Sequence, residues 1–153
     1  MPDITIVPWE EKYAGDFIAL SMEWLEKYAL TEPADLEILH HPHEKVLDHG
    51  GNIFFALYQG EVIGTAAMIQ QDAETFELAK LAVTEQYKGL KISTLLMQRC
   101  LDFAKAAGAK KILLYTNSFL RPAIGLYKKF NFVEAPIEQN IYEKVDMKME
   151  LAL

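Results

Sequence analysis

The chain has 153 residues, of which 51% are hydrophobic and 24% are charged, and its formal net charge at pH 7 is −7. This length is sufficient for one domain with a sizeable core, so we expect a single domain over residues 1–153. The excess of acidic residues argues against a nucleic-acid partner, because a nucleic-acid-binding face would need a basic patch or stripe.

Cysteine usage and the apolar runs indicate where the protein works. The single cysteine, Cys100, falls in an apolar helical pattern, which favours a buried structural thiol over a nucleophile. Residues 1–12 lack the basic start and apolar stretch of a signal peptide. The longest uninterrupted apolar run, residues 53–58, is far too short to cross a bilayer. We therefore expect a soluble cytoplasmic protein with no membrane partner.

The first third of the chain predicts a strand, a helix and a loop in that order. Residues 4–6 fit a short strand, and apolar residues then recur every three or four positions over residues 13–28, which is one face of a helix. Residues 31–51 lose this pattern and contain two prolines, four histidines and a Gly-Gly pair. We predict a loop there, with one helical turn near residues 36–39 and another near residues 44–47.

The middle of the chain predicts three strands and a long helix. Two apolar runs, residues 53–58 and 62–69, flank a Gln-Gly-Glu connection, which is typical of an antiparallel hairpin. A third strand follows at residues 76–83. An amphipathic helix over residues 92–107 and a strand at 111–116 come next, and a strand-helix-strand sequence implies a parallel crossover.

The last third predicts one more helix and one more strand. The helix has Pro122 near its start and stops at Asn131, a residue that tolerates the left-handed conformation of a helix end. Residues 144–151 alternate between apolar and charged side chains, as in a strand with one buried face. Together these elements predict an α/β domain built around a mixed sheet.

The junction between the third strand and the long helix, residues 85–96, reads EQYKGLKISTLL. A helix start presents unpaired backbone N–H groups and the positive end of the helix dipole, so such a junction can bind a phosphate. A glycine and a lysine also serve an ordinary turn with no ligand, and this second interpretation stays open. The stretch is not a P-loop, because it has no Gly-Lys pair preceded by the required glycine.

Three stretches carry a resemblance to a known family. ELAKLAV, YKGLKISTLLM and the later AIGLYKKFNF, together with the order of elements, resemble the GNAT superfamily of acetyl-CoA-dependent N-acetyltransferases over nearly the whole chain. The resemblance implies a mixed, mostly antiparallel central sheet flanked by helices, with a parallel strand-helix-strand core that binds the cofactor. It also implies transfer of an acetyl group from acetyl-CoA, the cosubstrate, to a primary amine by direct attack.

The family's phosphate-binding motif is altered in this chain. Relatives follow an apolar strand ending in Val with Gln or Arg, Gly, any residue, Gly, Ile and Gly. Counted from Val83, these positions fall on Lys88, Gly89, Lys91 and Ser93. Lys91 replaces a glycine that is expected where the backbone approaches the pyrophosphate. The lysine costs little if its φ is negative and is strained if its φ is positive.

The resemblance implies cofactor contacts along the strand end, the junction and the next loop. They are Leu81, Ala82, Val83, Lys88, Gly89, Leu90, Lys91, Ile92, Ser93, Thr94 and Asn117. The family often has an asparagine seven residues before the tyrosine that corresponds to Tyr127, and this chain has Leu120 there. Asn117 and Ser118 lie nearby, and they either replace that contact or cap the next helix.

The reaction needs a base because an amine with a pKa near 10.4 is only about 0.04% neutral at pH 7, a cost of roughly 4.6 kcal/mol. The resemblance points to Glu77, acting directly or through water, since many relatives carry an acid at this position. By the period of two, Glu77 would share a strand face with Ala79, Leu81 and Val83. Alternatively, Glu77 is a sheet residue paired with Lys80 or another cation and has no catalytic role.

The leaving group is a thiolate, and Tyr127 matches the tyrosine that in many relatives supplies it with a proton or a hydrogen bond. The alternative is a buried aromatic residue whose hydroxyl bonds elsewhere.

The four histidines over residues 40–49 lack the spacing of a helical zinc motif and have no cysteine among them, so we expect no metal. We expect this loop, with Trp24 and Tyr28, to form part of the acceptor wall, although a core position for Trp24 fits the helix pattern better.

Three other functions remain open at this point. They are a catalytically silent module that binds acetyl-CoA as a sensor, a flavodoxin-like or other α/β binding domain, and a structural dimer unit with a degenerate pocket. The sequence does not identify the acceptor, which is either a small molecule or a peptide with a free amine. A homodimer is a further expectation.

Overall fold

The structure is a computed structural model that describes residues 3–87, 91–138 and 141–153. Its strands are β1 (Ile4–Pro8), β2 (Asn52–Tyr58), β3 (Glu61–Asp72), β4 (Thr75–Val83), β5 (Lys111–Thr116), β6 (Val133–Ala135) and β7 (Met147–Ala152). Its α-helices are α1 (Ala14–Lys27), α2 (Pro33–His40), α3 (Pro42–Lys45), α4 (Ile92–Ala106) and α5 (Arg121–Lys129). Within the described residues the strands form one sheet in the order β1-β2-β3-β4-β5-β7-β6.

The sheet is mixed and mostly antiparallel, as predicted. The pair β4 and β5 is parallel, and every other pair of neighbouring strands in the described part of the chain is antiparallel. The predicted hairpin is present between β2 and β3, where Gln59 and Gly60 have φ of 51° and 80°. Positive φ at both turn residues matches the right-handed twist of the two strands. The crossover from β4 to β5 is α4.

The strands β4 and β5 diverge after a short paired segment. Residues 75–77 pair with residues 111–113, whereas β4 continues to Val83 and β5 to Thr116 without further pairing between them. A gap therefore opens between two adjacent strands in the middle of the sheet. The backbone N–H and C=O groups on the gap side of β4 have no ladder partner there, and this leaves them available to a ligand.

A β-bulge in β4 interrupts the alternation of its side chains. Thr65 of β3 lies opposite Ala82, and Ala67 lies opposite Ala79, so β4 has one extra residue between these two pairs. Lys80 is within this bulge and has a φ of 56°. An extra residue shifts every following side chain to the other face of the sheet.

Because of the bulge, the prediction that Glu77 shares a face with Leu81 and Val83 is wrong. Glu77 lies opposite Ile69, which packs in the cluster beneath α1 and α2. Leu81 and Val83 pack in the cluster beneath α4, on the opposite face. The period of two holds only while the strand stays regular, and the sequence ELAKLAV gives no sign of the extra residue.

A hydrophobic cluster lies on each face of the sheet. The cluster under α4 includes Phe54, Phe76 and Leu96, and the cluster under α1 and α2 includes Phe17 and Phe55. Burial of each such side chain stabilises the fold by about 1.5–3 kcal/mol. Cys100 belongs to the first cluster, and burial raises the pKa of its thiol to about 12, in agreement with the predicted structural role.

Residues 31–51 are more helical than the sequence predicts. They form α2, α3 and a 3-10 turn over Leu47–His49 instead of a loop with two isolated turns. Pro33 and Pro42 each occupy the first turn of a helix, where proline needs no N–H partner. The backbone N–H of Glu32 also donates to Oδ2 of Asp35 over 2.8 Å at the start of α2. These helices are too short for the apolar periodicity on which the prediction depended.

The ends of the two later helices match the prediction. Gly108 follows α4 with a φ of 80°, and Asn131 follows α5 with a φ of 72°. The short strand β6 was not predicted, because its three residues are largely exposed and show no alternation. Across the described residues, no helix combines the length and the apolar composition needed to cross a membrane.

Candidate active site

Two adjoining cavities open where β4 and β5 diverge. The larger one, the large cleft, has a volume of about 490 Å³ and lies between the end of β4, the start of α4 and α5. The other, the small pocket, has a volume of about 100 Å³ and lies between α1, α2, β4 and the connection from β6 to β7. The residues that line both cavities are Trp24, Leu81, Ala82, Leu120 and Tyr127.

Glu77 is the one acidic residue of β4; it has 5% of its surface exposed and lines the small pocket. Gln71 donates from Nε2 to its Oε1 over 3.0 Å, and the Tyr142 hydroxyl donates to its Oε2 over 3.2 Å. Burial raises the pKa of Glu77 to about 7, against the opposing effect of the Lys80 charge and the Tyr142 hydrogen bond. A carboxyl group with this pKa can gain or lose a proton near neutral pH.

Lys80 and Asp35 form a buried ion pair at the wall of the small pocket. The Lys80 ammonium also lies 5.2 Å from the centre of the Tyr142 ring. Oδ2 of Asp35 accepts the N–H of Glu32. The partner of Lys80 is thus Asp35, whereas the sequence left open a pairing of Lys80 with Glu77. The charge of Lys80 still acts on Glu77, because it lowers the pKa of that carboxyl.

Tyr127 lies on α5 and lines both the large cleft and the small pocket. Its ring packs against Phe132, with 6.0 Å between ring centroids. Its apolar surroundings raise the pKa of the hydroxyl to about 12, so this group stays protonated at neutral pH. Among the described residues the hydroxyl has no hydrogen-bond partner. The alternative given above, a tyrosine whose hydroxyl bonds elsewhere in the fold, is therefore not found among these residues.

The connection between β6 and β7 is attached to the segment between α1 and α2. Glu32 accepts hydrogen bonds from the backbone N–H groups of Glu143, over 2.6 Å, and Lys144, over 3.1 Å. The Lys144 ammonium in turn donates to the carbonyl groups of Ala29 and Thr31. These contacts place the neighbouring Tyr142 against Glu77, from 65 positions further along the chain.

The start of α4 forms one wall of the large cleft through Lys91, Ile92 and Ser93. Lys91 precedes the first residue of α4 and has a φ of 61°. Of the two conformations that the sequence allowed for this position, the structure has the strained one. The left-handed region costs a lysine roughly 1–2 kcal/mol relative to the usual helical region.

A family model described as "Acetyltransferase (GNAT) family" matches residues 14–132, which include β2 to β5, α4, α5 and both cavities. The chain belongs to the GNAT acetyltransferase family. The resemblance deduced from the sequence is confirmed. Membership in this family, with its mostly antiparallel sheet, also excludes the flavodoxin-like alternative.

Comparison with known proteins extends this assignment. The "Probable N-acetyltransferase 14" of Xenopus tropicalis is 34% identical over 82 residues, which are 52% of this chain and 40% of that protein. The chain thus spans about two fifths of the length of this curated relative. An acetyltransferase from Streptococcus agalactiae has the same fold, with a TM-score of 0.87, 19% identity and 98% of each chain covered.

A third similar protein was solved with a ligand. It is yncA, a putative acetyltransferase from Salmonella typhimurium whose structure contains "its cofactor Acetyl-CoA". It has a TM-score of 0.78 and 15% identity, and the alignment covers 97% of this chain and 93% of that protein. At this identity the likeness concerns the fold, which is the GNAT fold that the sequence predicted.

Six of the predicted cofactor contacts line the large cleft. They are Leu81, Ala82, Val83, Lys91, Ile92 and Ser93. The exposed Thr94 is not part of the wall, and Lys88, Gly89 and Leu90 lie outside the described residues. A structural dimer unit with a degenerate pocket would have no cleft beside Val83, so the presence of the large cleft argues against that alternative.

Asn117 follows β5, in the connection to α5. It lines the small pocket and not the large cleft, and its side-chain amide donates to the Lys144 carbonyl. Ser118 donates to the carboxylate of Asp146, and neither Asn117 nor Ser118 caps α5. Leu120 occupies the position before the first residue of α5. A cofactor contact by Asn117 stays a prediction.

The aromatic residues at the end of α1 line the cavities, and their part in an acceptor wall stays a prediction. Trp24 lines both cavities and Tyr28 lines the large cleft, with 5.2 Å between their ring centroids. Trp24 is half-buried and also packs against the cluster beneath α1 and α2, in agreement with the core position that its helix pattern favoured. Of the predicted loop over residues 31–51, Glu32 and Asp35 line the small pocket, whereas its histidines line neither cavity, and His43, for example, contacts Glu11 and Trp9. Among residues 3–87, 91–138 and 141–153, no group of three His, Cys, Asp or Glu side chains could hold a metal ion.

Sequence reasoning missed most of the polar residues around Glu77. Asp35, Lys80 and Tyr142 come from three separate segments and meet only in the folded chain. Lys80 gave one signal, because a charged residue within an apolar strand needs a partner. Ser21 of α1, which also lines the small pocket, gave no signal, since a small polar residue in an amphipathic helix is ordinary.

Proposed function

We propose that the protein transfers the acetyl group of acetyl-CoA to a primary amine by direct attack. The observation that carries the proposal is the position of Tyr127, which lines both cavities, while Glu77 lines the small pocket beside it. Acetyl-CoA would occupy the large cleft, and the amine would enter through the small pocket. Family membership and the acetyl-CoA in a protein of the same fold support this assignment.

The large cleft has the groups that a CoA thioester needs. The unpaired edge of β4 beyond residue 77 offers N–H and C=O groups to the amides of an extended arm, as in strand addition. The first turn of α4, from Ile92, offers N–H groups and the positive end of the helix dipole to phosphates. Lys91 and Ser93 lie at this end of the cleft.

The small pocket suits an amine that enters as a cation. Its acidic residues are Glu32, Asp35 and Glu77, and its lysines are Lys80 and Lys144. Three carboxylates against two ammonium groups leave the wall with a formal charge of −1 when all are ionised. A partly buried site of this sign attracts a positively charged group more strongly than the net charge of the whole protein does.

Glu77 would take the proton that the amine must lose before or during attack, directly or through water. Its pKa of about 7 makes it a base near neutral pH while leaving it able to release the proton afterwards. The attacking nitrogen would then form a bond to the thioester carbonyl carbon, and the C–S bond would break. Tyr127, with its pKa of about 12, would give a proton or a hydrogen bond to the leaving thiolate.

Release of free CoA in the presence of a panel of primary amines tests the proposal. The panel includes amino alcohols, polyamines, amino acid amides and short peptides with free termini, and thermal unfolding with and without acetyl-CoA is measured in parallel. We expect stabilisation that grows with acetyl-CoA concentration, as mass action requires, and turnover with at least one amine. Stabilisation without turnover of any amine would support the acetyl-CoA sensor instead, and no stabilisation at millimolar acetyl-CoA would contradict both functions.

A further inference from the structure

The buried polar side chains of the small pocket are largely occupied by contacts within the protein. Glu32 accepts two backbone N–H groups, Asp35 pairs with Lys80, and Glu77 accepts from Gln71 and Tyr142. These groups supply charge to the pocket, but their strongest hydrogen-bonding positions are already taken. Recognition of a further polar group on the acceptor therefore needs another side chain.

Ser21 is the exception among these residues. It lies on α1, is 2% exposed and lines the small pocket. Its Oγ is fully buried and has no hydrogen-bond partner among the described residues. A serine in a helix can donate to the carbonyl four residues earlier, which here belongs to Phe17, but Ser21 does not do so.

A buried hydroxyl without a partner is costly to keep. It destabilises the folded protein by about 1–3 kcal/mol relative to a hydroxyl that is hydrogen-bonded. Such groups in native proteins have a reason, and a ligand that completes the hydrogen bond is one of them. Ser21 lines the small pocket although its Oγ is not itself accessible there, so a ligand oxygen would become the partner of the hydroxyl through rotation of the side chain about χ1.

The place of Ser21 in the pocket indicates which part of the acceptor it meets. Tyr127 lines both cavities, whereas Ser21 lines only the small pocket. The reacting nitrogen must be near Tyr127 and the thioester, so Ser21 faces the portion of the acceptor that lies behind this nitrogen. A cavity of about 150 Å³ holds one benzene molecule, so this pocket of about 100 Å³ holds a fragment of roughly four or five non-hydrogen atoms.

We propose that Ser21 is a specificity-determining residue whose hydroxyl donates a hydrogen bond to an oxygen of the acceptor. The preferred acceptor is then a short primary amine with a hydroxyl or carbonyl oxygen, or a larger molecule that ends in such a fragment. This inference rests on the proposed acetyl transfer. A site that hydrogen-bonds a substrate oxygen discriminates strongly against an analogue without it, because the protein group is then left unpaired.

Two amines of the same size test the inference. 3-Amino-1-propanol and n-butylamine differ by a hydroxyl in place of a methyl group. For the natural sequence we expect kcat/KM to be at least tenfold higher with the amino alcohol. In Ser21→Ala the two values should approach each other, mainly through a higher KM for the amino alcohol, while the KM for acetyl-CoA is unchanged. Ser21→Thr, which keeps a hydroxyl, should retain part of the preference.

Thermal unfolding without ligand adds a readout that does not depend on turnover. Ser21→Ala should unfold at the same temperature as the natural sequence or at a higher one, because it removes a hydroxyl that has no partner. Ser118→Ala, outside both cavities, is the matched control and should not alter the preference between the two amines.

The outcomes separate this inference from the function on which it rests. The hydroxyl has a structural role, and the inference is wrong, if Ser21→Ala keeps the preference of the natural sequence for 3-amino-1-propanol. The same conclusion follows if the variant changes kcat/KM equally for both amines or has a Tm several degrees lower. The inference also fails if other amines are acetylated and 3-amino-1-propanol is no better than n-butylamine. If no amine of any kind is acetylated, the proposed function fails, and the inference fails with it.

Discussion

Tyr142 donates a hydrogen bond to Glu77 across 3.2 Å, and in doing so it connects the loop between β6 and β7 to the middle of β4. This contact stabilises the ionised form of a carboxyl group that burial would otherwise keep protonated. Glu32 accepts hydrogen bonds from the backbone N–H groups of the next two residues, so the same loop is also attached to the segment before α2. The chemistry proposed for Glu77 therefore depends on a residue distant from it in sequence.

The proposed base predicts a particular pH dependence. Since the pKa of Glu77 is about 7, the rate should rise as pH increases through 7 and the carboxyl loses its proton. Glu77→Gln should lower kcat by about 10²–10⁴-fold at pH 8 and should lose this acid limb. Initial rates of CoA release between pH 5.5 and 9 measure both effects. A variant whose profile has the same shape and height as that of the natural sequence would assign Glu77 to structure.

Glu77 should also reduce stability at high pH. Its folded-state pKa of about 7 is above the ordinary value of 4.5, so the folded protein binds this proton more tightly than the unfolded chain. The contribution of this bound proton to the free energy of unfolding is complete below about pH 4.5 and is lost as pH rises through 7. It amounts to on the order of 3 kcal/mol. Glu77→Gln stays neutral throughout, so its Tm should exceed that of the natural sequence at pH 8 and match it near pH 5.

A control for the stability experiment is the exposed Glu37 on α2. Glu37→Gln removes a carboxylate that is in contact with solvent, so its Tm difference from the natural sequence should not vary between pH 5 and pH 8. A Tm difference for Glu77→Gln that is equally flat would show that Glu77 does not change its protonation in this range.

Tyr127→Phe should separate chemistry from binding. The substitution keeps the ring against Phe132 and removes a hydroxyl that no described residue binds, so Tm should be unchanged. If the hydroxyl assists the leaving thiolate, kcat should fall by about 10²–10⁴-fold with little change in the KM for acetyl-CoA. Tyr58→Phe, on β2, is the matched control. An unaltered kcat in Tyr127→Phe would remove this residue from the mechanism.

The ion pair between Lys80 and Asp35 predicts an asymmetric response to mutation. The two side chains are 7% and 5% exposed. Lys80→Met leaves Asp35 charged and uncompensated in a buried site, which should destabilise the protein by about 3–5 kcal/mol. Combining it with Asp35→Asn removes that charge and should restore much of the loss in urea unfolding. A double variant no more stable than Lys80→Met would show that the pair is not the cause.

The left-handed conformation of Lys91 allows strain and charge to be tested separately. With its φ of 61°, Lys91→Gly should raise the stability by about 1 kcal/mol, because glycine adopts this conformation without strain. Lys91→Ala keeps the strain and should not be stabilised. Both variants lack the ammonium, so both should bind CoA less tightly and with a weaker salt dependence if that group contacts phosphate. Equal Tm values for the glycine and alanine variants would contradict the strain argument.

Local sequence pattern alone predicted much of the fold. The turn at Gln59 and Gly60, the helix α4 with Gly108 after it, and the end of α5 at Asn131 all follow from short-range rules on backbone conformation and apolar spacing. These rules work because each feature depends on residues within one or two turns of chain. Family membership was likewise evident from stretches around β4, α4 and α5.

Tertiary structure decided the details of the candidate site. The bulge at Lys80 turns Glu77 away from Val83, and the register of β3 against β4 reveals it where the sequence cannot. The approach of Tyr142 to Glu77 and the unpartnered hydroxyl of Ser21 depend on segments far apart in the chain. Hydrogen bonds, burial and pKa shifts depend on which groups meet in space, and a linear pattern contains that information only for near neighbours.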